Sequence, residues 1–465
     1  MGPTLAVGAL AAFARSRWGV RLQSRRGLER RRRRAIRRLL VERMPRAGHY
    51  AHPFDRLADV PVVDKAAVLA DFAGFNVLGI DLDTALTAAH AAEHSRDFSG
   101  LLPGGITVGL SSGTSGRPGV FLVDEAERLR WAGTVLGRLL DRRSLVQLVQ
   151  PWRPPLRIAF CLRANSTLYE SVGSRRLDFR FVDLVAPFDE VLAGVATARP
   201  DVLVAPSSVL DALARAAARG ELAIAPRLVV AVAEVLDPAT AVRVEGAWGV
   251  RPRRVYQATE GLLGLDCARG RLHLNESVVV FEPESLDAEH RRFTPIVTDL
   301  ERRTQLVVRY RLDDVLRAAA DDARCPCGDP SRVIEAVEGR ADEVVEAVGA
   351  DGGVVRIFPD TVRRAMALAD VTDWAIRWSS GGRLDIALAR ATDAREVAAA
   401  EAAVRRSLGE LFDAVGARHP ELRFEAWTPP RPGDKVVRIR RAEAPAPPVA
   451  AAPAAAAPTE EVARG

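Results

Sequence analysis

Lysine is almost missing from this chain. Of its 66 lysines and arginines only two are lysines, Lys65 and Lys435. Because an ammonium and a guanidinium are not interchangeable, a lysine kept in such a composition indicates a position that needs the compact ammonium. Lys435 stands near the end of the part that we expect to fold. The alternative is a lysine retained by chance in a surface loop.

Cysteines and long apolar runs are also scarce. The four cysteines, Cys161, Cys267, Cys325 and Cys327, do not have the pattern of a disulfide framework. No apolar run is long enough to span a bilayer. The apolar stretch 5–14 lacks the preceding positive charge of a signal peptide. We therefore expect a cytoplasmic protein with no membrane partner.

Positive charge is concentrated in one segment. Residues 15–46 hold 14 arginines against Glu29 and Glu42, a balance of +12, while the whole chain carries +6. The rest of the chain is therefore acidic, with a net charge of −6. A segment this basic is able to bind nucleic acid or another anionic surface.

We favour a simpler interpretation of this segment, a helix with a solvated basic side. Its apolar residues would then lie on the buried side: Leu28, Ile36, Leu39 and Leu40. No stacking aromatics are interleaved with the arginines, and no nucleic-acid-binding motif follows them. We therefore expect no nucleic-acid partner.

Apolar strands alternate with helical stretches through the middle of the chain. The strands that we predict are 156–162, 179–184, 201–205, 228–232 and 255–256. Residues 105–123 read as strand, loop and strand, 125–140 as a helix and 166–173 as a short helix. This alternation predicts an α/β domain with a largely parallel core. Strands 278–282 and 305–309 suggest a later, more antiparallel part.

The character of the sequence changes near Gly339. Residues 339–442 are enough for a small α+β domain, with strands at 384–388 and 422–427 and a helix at 396–411. The Ala/Pro-rich tail 443–465 cannot form a core and is expected to be disordered. We therefore expect a large domain over 1–338, a small domain over 339–442, and the tail.

A loop of small and hydroxyl residues follows the first predicted strand. It consists of Ser111, Ser112, Gly113, Thr114, Ser115 and Gly116. Hydroxyls and consecutive N–H groups bind polyphosphate, and small residues allow the close backbone approach. The loop is not a P-loop, because the required lysine is absent. The alternative is a flexible turn.

Two further motifs lie after predicted strands. Thr259 and Glu260 offer a hydroxyl and a carboxylate, a set that suits Mg²⁺ bound together with phosphates. Asp314 follows the segment Val308–Asp313, and an acidic residue in this position commonly holds the hydroxyls of a ribose. The alternative for both motifs is a solvated turn.

Four residues match the ligand set of a zinc site. Cys267, His273, Cys325 and Cys327 would supply three thiolates and one imidazole. The pair Cys325–Cys327 is tighter than the usual C-x-x-C spacing. The alternative is a set of unpaired thiols in the core and a surface histidine, and we interpret Cys161, on an apolar strand, as such a core thiol.

Together and in this order, the motifs resemble the adenylate-forming superfamily of acyl-CoA synthetases and adenylation domains. The likeness is greater to the phenylacetate–CoA ligase branch. Within it, the chain is most similar to a little-characterised bacterial group related to a synthetase that adenylylates a deazaflavin coenzyme. The likeness spans about residues 61–364. Some relatives in the branch show the same Cys, His, Cys, Cys order, which favours a closed structural zinc site here.

The resemblance implies a large α/β domain with mixed sheets and a small, mobile α+β lid. It implies ATP-dependent activation of a carboxylic acid, aryl or arylacetic by analogy, with release of pyrophosphate. The acyl group would then pass to a thiol such as CoA or a carrier protein, and a homodimer is compatible with it. One alternative is transfer of AMP to a phenolic or coenzyme hydroxyl. Another is a weakened relative that only binds nucleotide.

The resemblance also assigns residues. The loop Ser111–Gly116 would hold the β- and γ-phosphates of ATP. The remaining assignments are Ala233 and Glu234 at adenine, Tyr256 stacked near it, Thr259 at the α-phosphate, Glu260 on Mg²⁺, Asp314 on the ribose, Arg340 and Asp342 in the hinge segment, and Lys435 as the catalytic lysine of the lid.

The chain departs from the family pattern in three places. The phosphate loop lacks its usual late lysine, because Arg117, Pro118 and Gly119 stand there. Asp313 and Asp434 each replace a glycine, the first before the ribose-binding aspartate and the second before the catalytic lysine. The first departure leaves the role of the loop lysine unassigned.

Overall fold

The fold consists of two compact units. In the computed structural model the described residues are 3–20, 24–95, 102–110, 119–162, 175–320, 325–371, 373–379, 382–389, 393–428 and 437–442. Residues up to Ala341 form the core of one unit, and the second is built around Asp342–Trp427 and the strand Ile439–Arg441. The first unit carries the larger sheet.

The first unit is an α/β structure. Its described α-helices are α1 Pro3–Ala14, α2 Arg25–Arg38, α3 Lys65–Ala70, α4 Leu82–Ser95, α5 Glu125–Leu139, α6 Arg142–Val149, α7 Phe188–Ala198, α8 Ser207–Ala218 and α9 Pro238–Trp248. Its described strands are β1 Thr107–Leu110, β2 Val120–Val123, β3 Leu156–Leu162, β4 Leu177–Asp183, β5 Val202–Ala205, β6 Leu228–Ala231, β7 Arg253–Ala258, β8 Gly261–Asp266, β9 Leu272–Leu274, β10 Val279–Ser285, β11 Arg292–Asp299, β12 Tyr310–Arg311, β13 Asp314–Ala318 and β14 Val333–Arg340.

One 12-stranded sheet crosses this unit in the order β10-β11-β13-β14-β9-β8-β7-β6-β5-β3-β4, with β12 paired to β11. Strands β3 to β7 pair in parallel, and the remaining pairs are antiparallel. The parallel strands are buried apolar runs, as expected when helices cover both faces. In β5, Val202 and Val204 pack into one core and Leu203 and Ala205 into another.

Helix α5 begins at a capping box and supports the N-terminal helix. Asp124 accepts a hydrogen bond from the backbone of Glu127, and the Glu127 carboxylate accepts one from the backbone of Asp124. Helix α1 packs against α5 at two glycines. A Cβ at Gly133 would lie 2.3 Å from a backbone oxygen of α1, and one at Gly137 2.5 Å from another. These glycines therefore permit the close helix packing.

The second unit is a smaller α+β structure. Strands β15 Val345–Val348 and β16 Val354–Ile357 form a hairpin. A four-stranded sheet has the order β19-β18-β17-β20 and is accompanied by two helices. These elements are β17 Trp374–Ser379, β18 Arg383–Leu388, β19 Glu421–Ala426, β20 Ile439–Arg441, α10 Pro359–Leu368 and α11 Ala394–Ala414. Met366, Ile386 and Leu408 lie in their shared core.

The predicted fold class is confirmed: an α/β unit with a large mixed sheet and a smaller α+β unit. The strand predicted at 305–309 is wrong. The regular strand there is β12, at Tyr310–Arg311, because the backbone of 305–308 bonds to separate segments, with Leu306 donating to Phe75 and Val307 accepting from Asp299. The short helix predicted at 166–173 lies outside the described residues. None of the described helices has the length and hydropathy that crossing a membrane requires.

Candidate active site and metal centre

Three loops meet at the carboxyl edge of the parallel strands. They follow β5, β6 and β7, which pair in parallel and therefore end at the same edge. In such sheets the carboxyl edge is where ligands bind. The loops bring Ser208, Glu234 and the pair Thr259–Glu260 to this edge.

Glu234, in the loop after β6, is hydrogen-bonded to the first turn of α8, which follows β5. Its Oε2 accepts a hydrogen bond of 2.8 Å from the backbone of Ser208, and its Oε1 one of 3.0 Å from the Ser208 hydroxyl. The neighbouring Ala233 has φ 62°, in the left-handed region that favours glycine. Alanine therefore occupies this backbone position under strain, which a glycine would relieve.

Glu260 is the central carboxylate of the edge. Thr259 donates a hydrogen bond of 2.8 Å to its Oε2, and the Tyr310 hydroxyl donates another. Burial raises the pKa of Glu260, and these hydrogen bonds offset part of the rise. A cation beside this carboxylate would favour its charged form. The pair Thr259–Glu260 therefore suits an oxygen-ligated Mg²⁺.

Tyr256 and Asp314 are joined by a hydrogen bond of 2.7 Å from the phenol to the carboxylate. Tyr256 is buried on β7, whereas Asp314 begins β13 and is half-buried. Burial and the charge of Asp314 raise the pKa of Tyr256, so the phenol stays a donor at neutral pH. Arg340 is the ladder partner of Asp314 across β13 and β14.

Lys65 is a site residue to which we assigned no role from the sequence. Val63 bridges Tyr310, which places the start of α3 beside β12. Burial and the charge of Arg340 lower the pKa of Lys65, while Asp313 and Glu260 raise it. The ammonium therefore lies in the field of the Glu260 carboxylate. The only feature of the sequence that could have pointed to Lys65 is that it is one of just two lysines in the chain.

Some predicted site residues do not belong to the described part of the first unit. The loop Ser111–Gly116 and Lys435 lie outside the described residues. The strands predicted on either side of the loop are present as β1 and β2, and the structure pairs them antiparallel. Asp342 belongs to the second unit, in the 3₁₀ turn Ala341–Glu343. The structure thus brings together Tyr256, Thr259, Glu260, Asp314 and Arg340 within the first unit.

The structure also brings together the four predicted zinc ligands. Among the described residues, the ligand atoms of Cys267, His273, Cys325 and Cys327 all lie within 4.8 Å of one another. Two of these distances are 3.8 Å, between the sulfurs of Cys267 and Cys325, and 3.5 Å, from the Cys327 sulfur to His273 Nε2. Tetrahedral zinc bonds of about 2.3 Å to sulfur and about 2.0 Å to nitrogen predict ligand separations of about 3.5–3.8 Å. The set therefore fits a zinc ion.

Hydrogen bonds from groups around the cluster orient its ligand residues. Backbone N–H groups of Arg269 and Asp329 each donate 3.4 Å bonds to sulfur, one to Cys267 and one to Cys327. His273 Nδ1 lies 3.1 Å from the carbonyl oxygen of Ser331, which fixes a proton on Nδ1 and turns Nε2 toward the sulfurs. Hydrogen bonds from Cys327 and His273 lower the pKa of Cys267.

The cluster and the carboxyl-edge site lie at opposite ends of a shared strand. Glu260 precedes β8, and Cys267 follows it. A strand of this length spans about 20 Å. The Cys/His set leaves no protein ligand missing from a tetrahedron, which is typical of structural rather than catalytic zinc.

Comparisons with known proteins identify the fold. No protein-family model matches the chain, and no curated protein matches it. Solved structures of 2-hydroxyisobutyryl-CoA ligase do. In the postadenylation state with 2-HIB-AMP, that ligase is 17% identical with a TM-score of 0.60 over 90% of this chain and 89% of its own. Its complex with R3-HIB-AMP is 16% identical with a TM-score of 0.59 over the same shares, 90% and 89%.

An open conformation of the same ligase, in complex with 2-HIB-AMP and CoA, is 16% identical with a TM-score of 0.50. It covers 90% of this chain and 91% of its own. At these identities the likeness establishes the fold. The chain therefore has the adenylate-forming ligase fold, in which a large α/β unit with a mixed sheet is followed by a smaller α+β unit.

Proposed function

We propose that this protein activates a carboxylic acid with ATP, forming an acyl-adenylate and releasing pyrophosphate. One observation carries the proposal: at the carboxyl edge of a ligase-type sheet, the Thr259–Glu260 pair and the Tyr256–Asp314 pair belong to one electrostatic cluster. The first offers oxygens for Mg²⁺, and the second a carboxylate for a ribose. This is the combination that a nucleoside triphosphate requires.

The chemistry gives each group a task. The carboxylate of the substrate attacks the α-phosphorus, and the bond to pyrophosphate breaks. Mg²⁺ supplies charge neutralisation for the phosphate oxygens. Glu260 would hold that ion, Thr259 would contact the α-phosphate, and Asp314 would accept hydrogen bonds from the ribose. Glu234 and Ala233 would line the adenine pocket, and Ser111–Gly116 would bind the outgoing phosphates.

Lys435 would bridge the substrate carboxylate and the α-phosphate oxygens. In a chain with two lysines, its segment resembles that of the lid lysine in adenylate-forming enzymes. A turn of the small domain about Asp342 would then expose the adenylate to a second nucleophile. We propose that this nucleophile is the thiol of CoA or of a carrier protein, because a ligase of similar structure binds CoA together with an acyl-adenylate. This would take place in the cytoplasm.

We propose aryl or arylacetic acids as substrates, on the resemblance to the phenylacetate–CoA ligase branch. We also propose that Cys267, His273, Cys325 and Cys327 hold a structural Zn²⁺. Support for the zinc comes from the four converging ligand atoms and from the orientation of His273, whose Nε2 faces the sulfurs. Zinc would fix the loops beyond β8 and β13, and the reaction would not pass through it.

Acid-dependent exchange of labelled pyrophosphate into ATP tests the activity. We would screen aryl, arylacetic, 2-hydroxy and fatty acids with the wild type, Lys435→Ala and Arg440→Ala. Arg440 is exposed on the second unit, and its substitution is the matched control for losing one positive charge. We expect exchange with one class of acid, reduced by about 10²–10³-fold in Lys435→Ala and unchanged in Arg440→Ala.

Absence of exchange with every acid, despite measurable ATP binding, would reject acid activation. An AMP-tagged phenol or coenzyme under the same conditions would instead establish AMP transfer to a hydroxyl. Exchange that survives in Lys435→Ala would keep the reaction and remove the lysine from it.

A further inference from the structure

Ten of the arginines in residues 15–46 fall into two groups. Arg25 and Arg32 pair with the buried Glu276, and Arg15 pairs with Glu301 at 2.6 Å. The second group lies on the outside of α2 and is exposed, with no hydrogen bond or ion pair recorded among the described residues. These are Arg26, Arg30, Arg31, Arg33, Arg34, Arg37 and Arg38.

Most of the exposed arginines form one stripe. Arg26, Arg30, Arg33, Arg34 and Arg37 are spaced at i, i+4, i+7, i+8 and i+11, which puts them on one face of α2. The stripe extends over about 16 Å of helix. A solvated helix needs no such alignment, and five like charges on one face repel one another. An anionic surface would relieve that repulsion.

Large apolar side chains are exposed on the neighbouring segments. Val7 and Leu10 on α1 are 65% and 66% exposed, and Trp18, in the π-helical turn Arg15–Gly19, is 54% exposed. Val41, three residues beyond α2, is 67% exposed. Leaving these side chains in water is unfavourable, whereas burial of each is worth about 1–3 kcal/mol on an area basis.

The residues next to Trp18 and Val41 are anchored to adjoining residues of the first unit, Glu301 and Leu300. Arg15, just before Trp18, pairs with Glu301, and Arg43, just after Val41, donates to the carbonyl oxygen of Leu300. The backbone of Leu300 in turn donates to Val278, two residues from the Glu276 that binds α2. Helix α2, Trp18 and Val41 are therefore attached near adjoining loops, while Val7 and Leu10 lie on α1, which packs against α5.

We propose that this N-terminal surface binds the face of an anionic phospholipid membrane. The arginines fit the lipid phosphates, and the apolar side chains, tryptophan among them, fit the interfacial zone beneath. A polynucleotide would use the arginines but leave the apolar side chains in water. The acidic remainder of the chain, at −6, would be repelled by the bilayer and so favour contact through this surface alone. The surface is independent of the proposed adenylation site.

Flotation of the full chain with vesicles tests the proposal. The probes are vesicles of phosphatidylcholine alone and of phosphatidylcholine mixed with phosphatidylglycerol. The stripe variant is Arg30→Gln/Arg33→Gln/Arg34→Gln. Its matched control is Arg142→Gln/Arg143→Gln/Arg251→Gln, three exposed arginines outside the N-terminal segment. At about fivefold in partitioning per basic residue, the stripe variant should lose roughly 100-fold on anionic vesicles, and the control should change little.

A second variant separates a membrane from other anionic partners. Leu10→Ser/Trp18→Ser removes exposed apolar groups and should weaken vesicle binding by about tenfold or more, most visibly at high salt, where the ionic contribution is screened. Its control is Val242→Ser/Trp152→Ser, which are 72% and 77% exposed elsewhere. All four variants alter exposed side chains, so unchanged thermal melts are expected to verify folding.

Three results would overturn the proposal. The first is equal partitioning onto neutral and anionic vesicles, or none onto either. The second is tighter binding to a duplex DNA oligonucleotide, insensitive to Leu10→Ser/Trp18→Ser, which would make the stripe a nucleic-acid surface. The third is self-association in sedimentation that the apolar variant abolishes without any vesicle binding, which would make the apolar residues a contact between copies.

Discussion

The two ends of strand β8 differ in how completely their polar groups are satisfied. At its start, Glu260 sits half-buried with hydrogen bonds from Thr259 and Tyr310 and a raised pKa. At its end, Cys267 joins a closed set of four ligand atoms with outer hydrogen bonds. Under the proposed function, one end would hold a ligand that is bound and released, and the other an ion that remains bound.

The proposed roles would place catalysis at one end of strand β8 and a contribution to stability at the other. A closed tetrahedron has no position for substrate, so its loss acts through folding. An open carboxylate edge is stabilised only when its ligand is bound, so the free protein carries the cost of a buried charge. Changes at the two ends should therefore move different observables.

The largest effect is expected at the closed end. Cys325→Ser/Cys327→Ser removes two of four ligands, so bound zinc should fall from about one equivalent per chain to none. The midpoint of thermal unfolding should fall by roughly 10 °C or more, because a structural zinc contributes several kcal/mol. Elemental analysis and calorimetry measure both. Cys161→Ala, at a buried thiol on β3, should keep the metal. If the wild-type protein binds no metal and is as stable as expected of the zinc-bound form, the proposed difference between the two ends of β8 is wrong.

At the open end, Glu260→Gln should reduce pyrophosphate exchange by about 10²–10³-fold, partly restored by excess Mg²⁺. Its effect on stability should be opposite in sign to the effect of removing the zinc ligands. The raised pKa of Glu260 means that wild-type stability is lost as pH rises above the ordinary carboxyl range, so the neutral amide should gain relative to the wild type at pH 7. Urea unfolding at pH 4 and pH 7 measures this.

The control is Glu284→Gln, because Arg311 lowers the pKa of that exposed carboxyl. The charge of Glu284 stabilises the protein at pH 7, and this contribution is lost as the pH falls. Glu284→Gln should therefore be slightly destabilised at pH 7 and little changed at acidic pH. The same pH response in both variants would contradict the assignment of a costly charge to the open end.

Lys65 tests whether the open end uses a second cation. Lys65→Met should slow exchange by roughly tenfold or more, since one donor beside the phosphates would be lost. Lys65→Arg should recover only part of the rate, because the planar fork does not replace a compact ammonium. Steady-state exchange kinetics measure both, and the unfolding midpoint should be nearly unchanged. An active Lys65→Met would assign Lys65 to packing.

Tyr256→Phe removes the hydrogen bond of 2.7 Å that holds Asp314. We expect KM for ATP to rise about five- to tenfold with kcat nearly constant, since ground-state and transition-state binding of the ribose weaken together. Tyr50→Phe is the matched control, a buried phenol with only a 3.5 Å contact to a carbonyl oxygen. A fall in kcat alone would place Tyr256 in the chemical step.

The smallest expected effect concerns the backbone of the open end. Ala233→Gly relieves the left-handed conformation at φ 62° and should stabilise the protein by up to about 1 kcal/mol. Ala231→Gly, in the buried strand β6, should destabilise it by a similar amount. Chemical denaturation resolves the two signs. Loss of stability in Ala233→Gly would mean that the Ala233 methyl packs well enough to outweigh the strain.

Much of the parallel sheet was readable from the sequence, because buried strands are short apolar runs between helices. β3, β5 and β6 fall within two residues of their predicted bounds. Gln305–Arg309 was apolar enough to predict a strand, but its backbone bonds elsewhere: Leu306 donates to Phe75, and Val307 accepts from Asp299. Local pattern does not reveal such long-range partners.

The sequence by itself determined the kinds of chemistry available: a hydroxyl-rich loop, a Thr–Glu pair after a strand, three thiols with a histidine, and two lysines among many arginines. Only the tertiary structure decided which of these meet. It joined Tyr256 to Asp314 across 58 residues, and Val63 to Tyr310 with Lys65 beside it. It also sorted the N-terminal arginines into anchors and an exposed stripe. Residue type and spacing encode local conformation, whereas contacts between distant segments follow from strand order and packing, which no local pattern specifies.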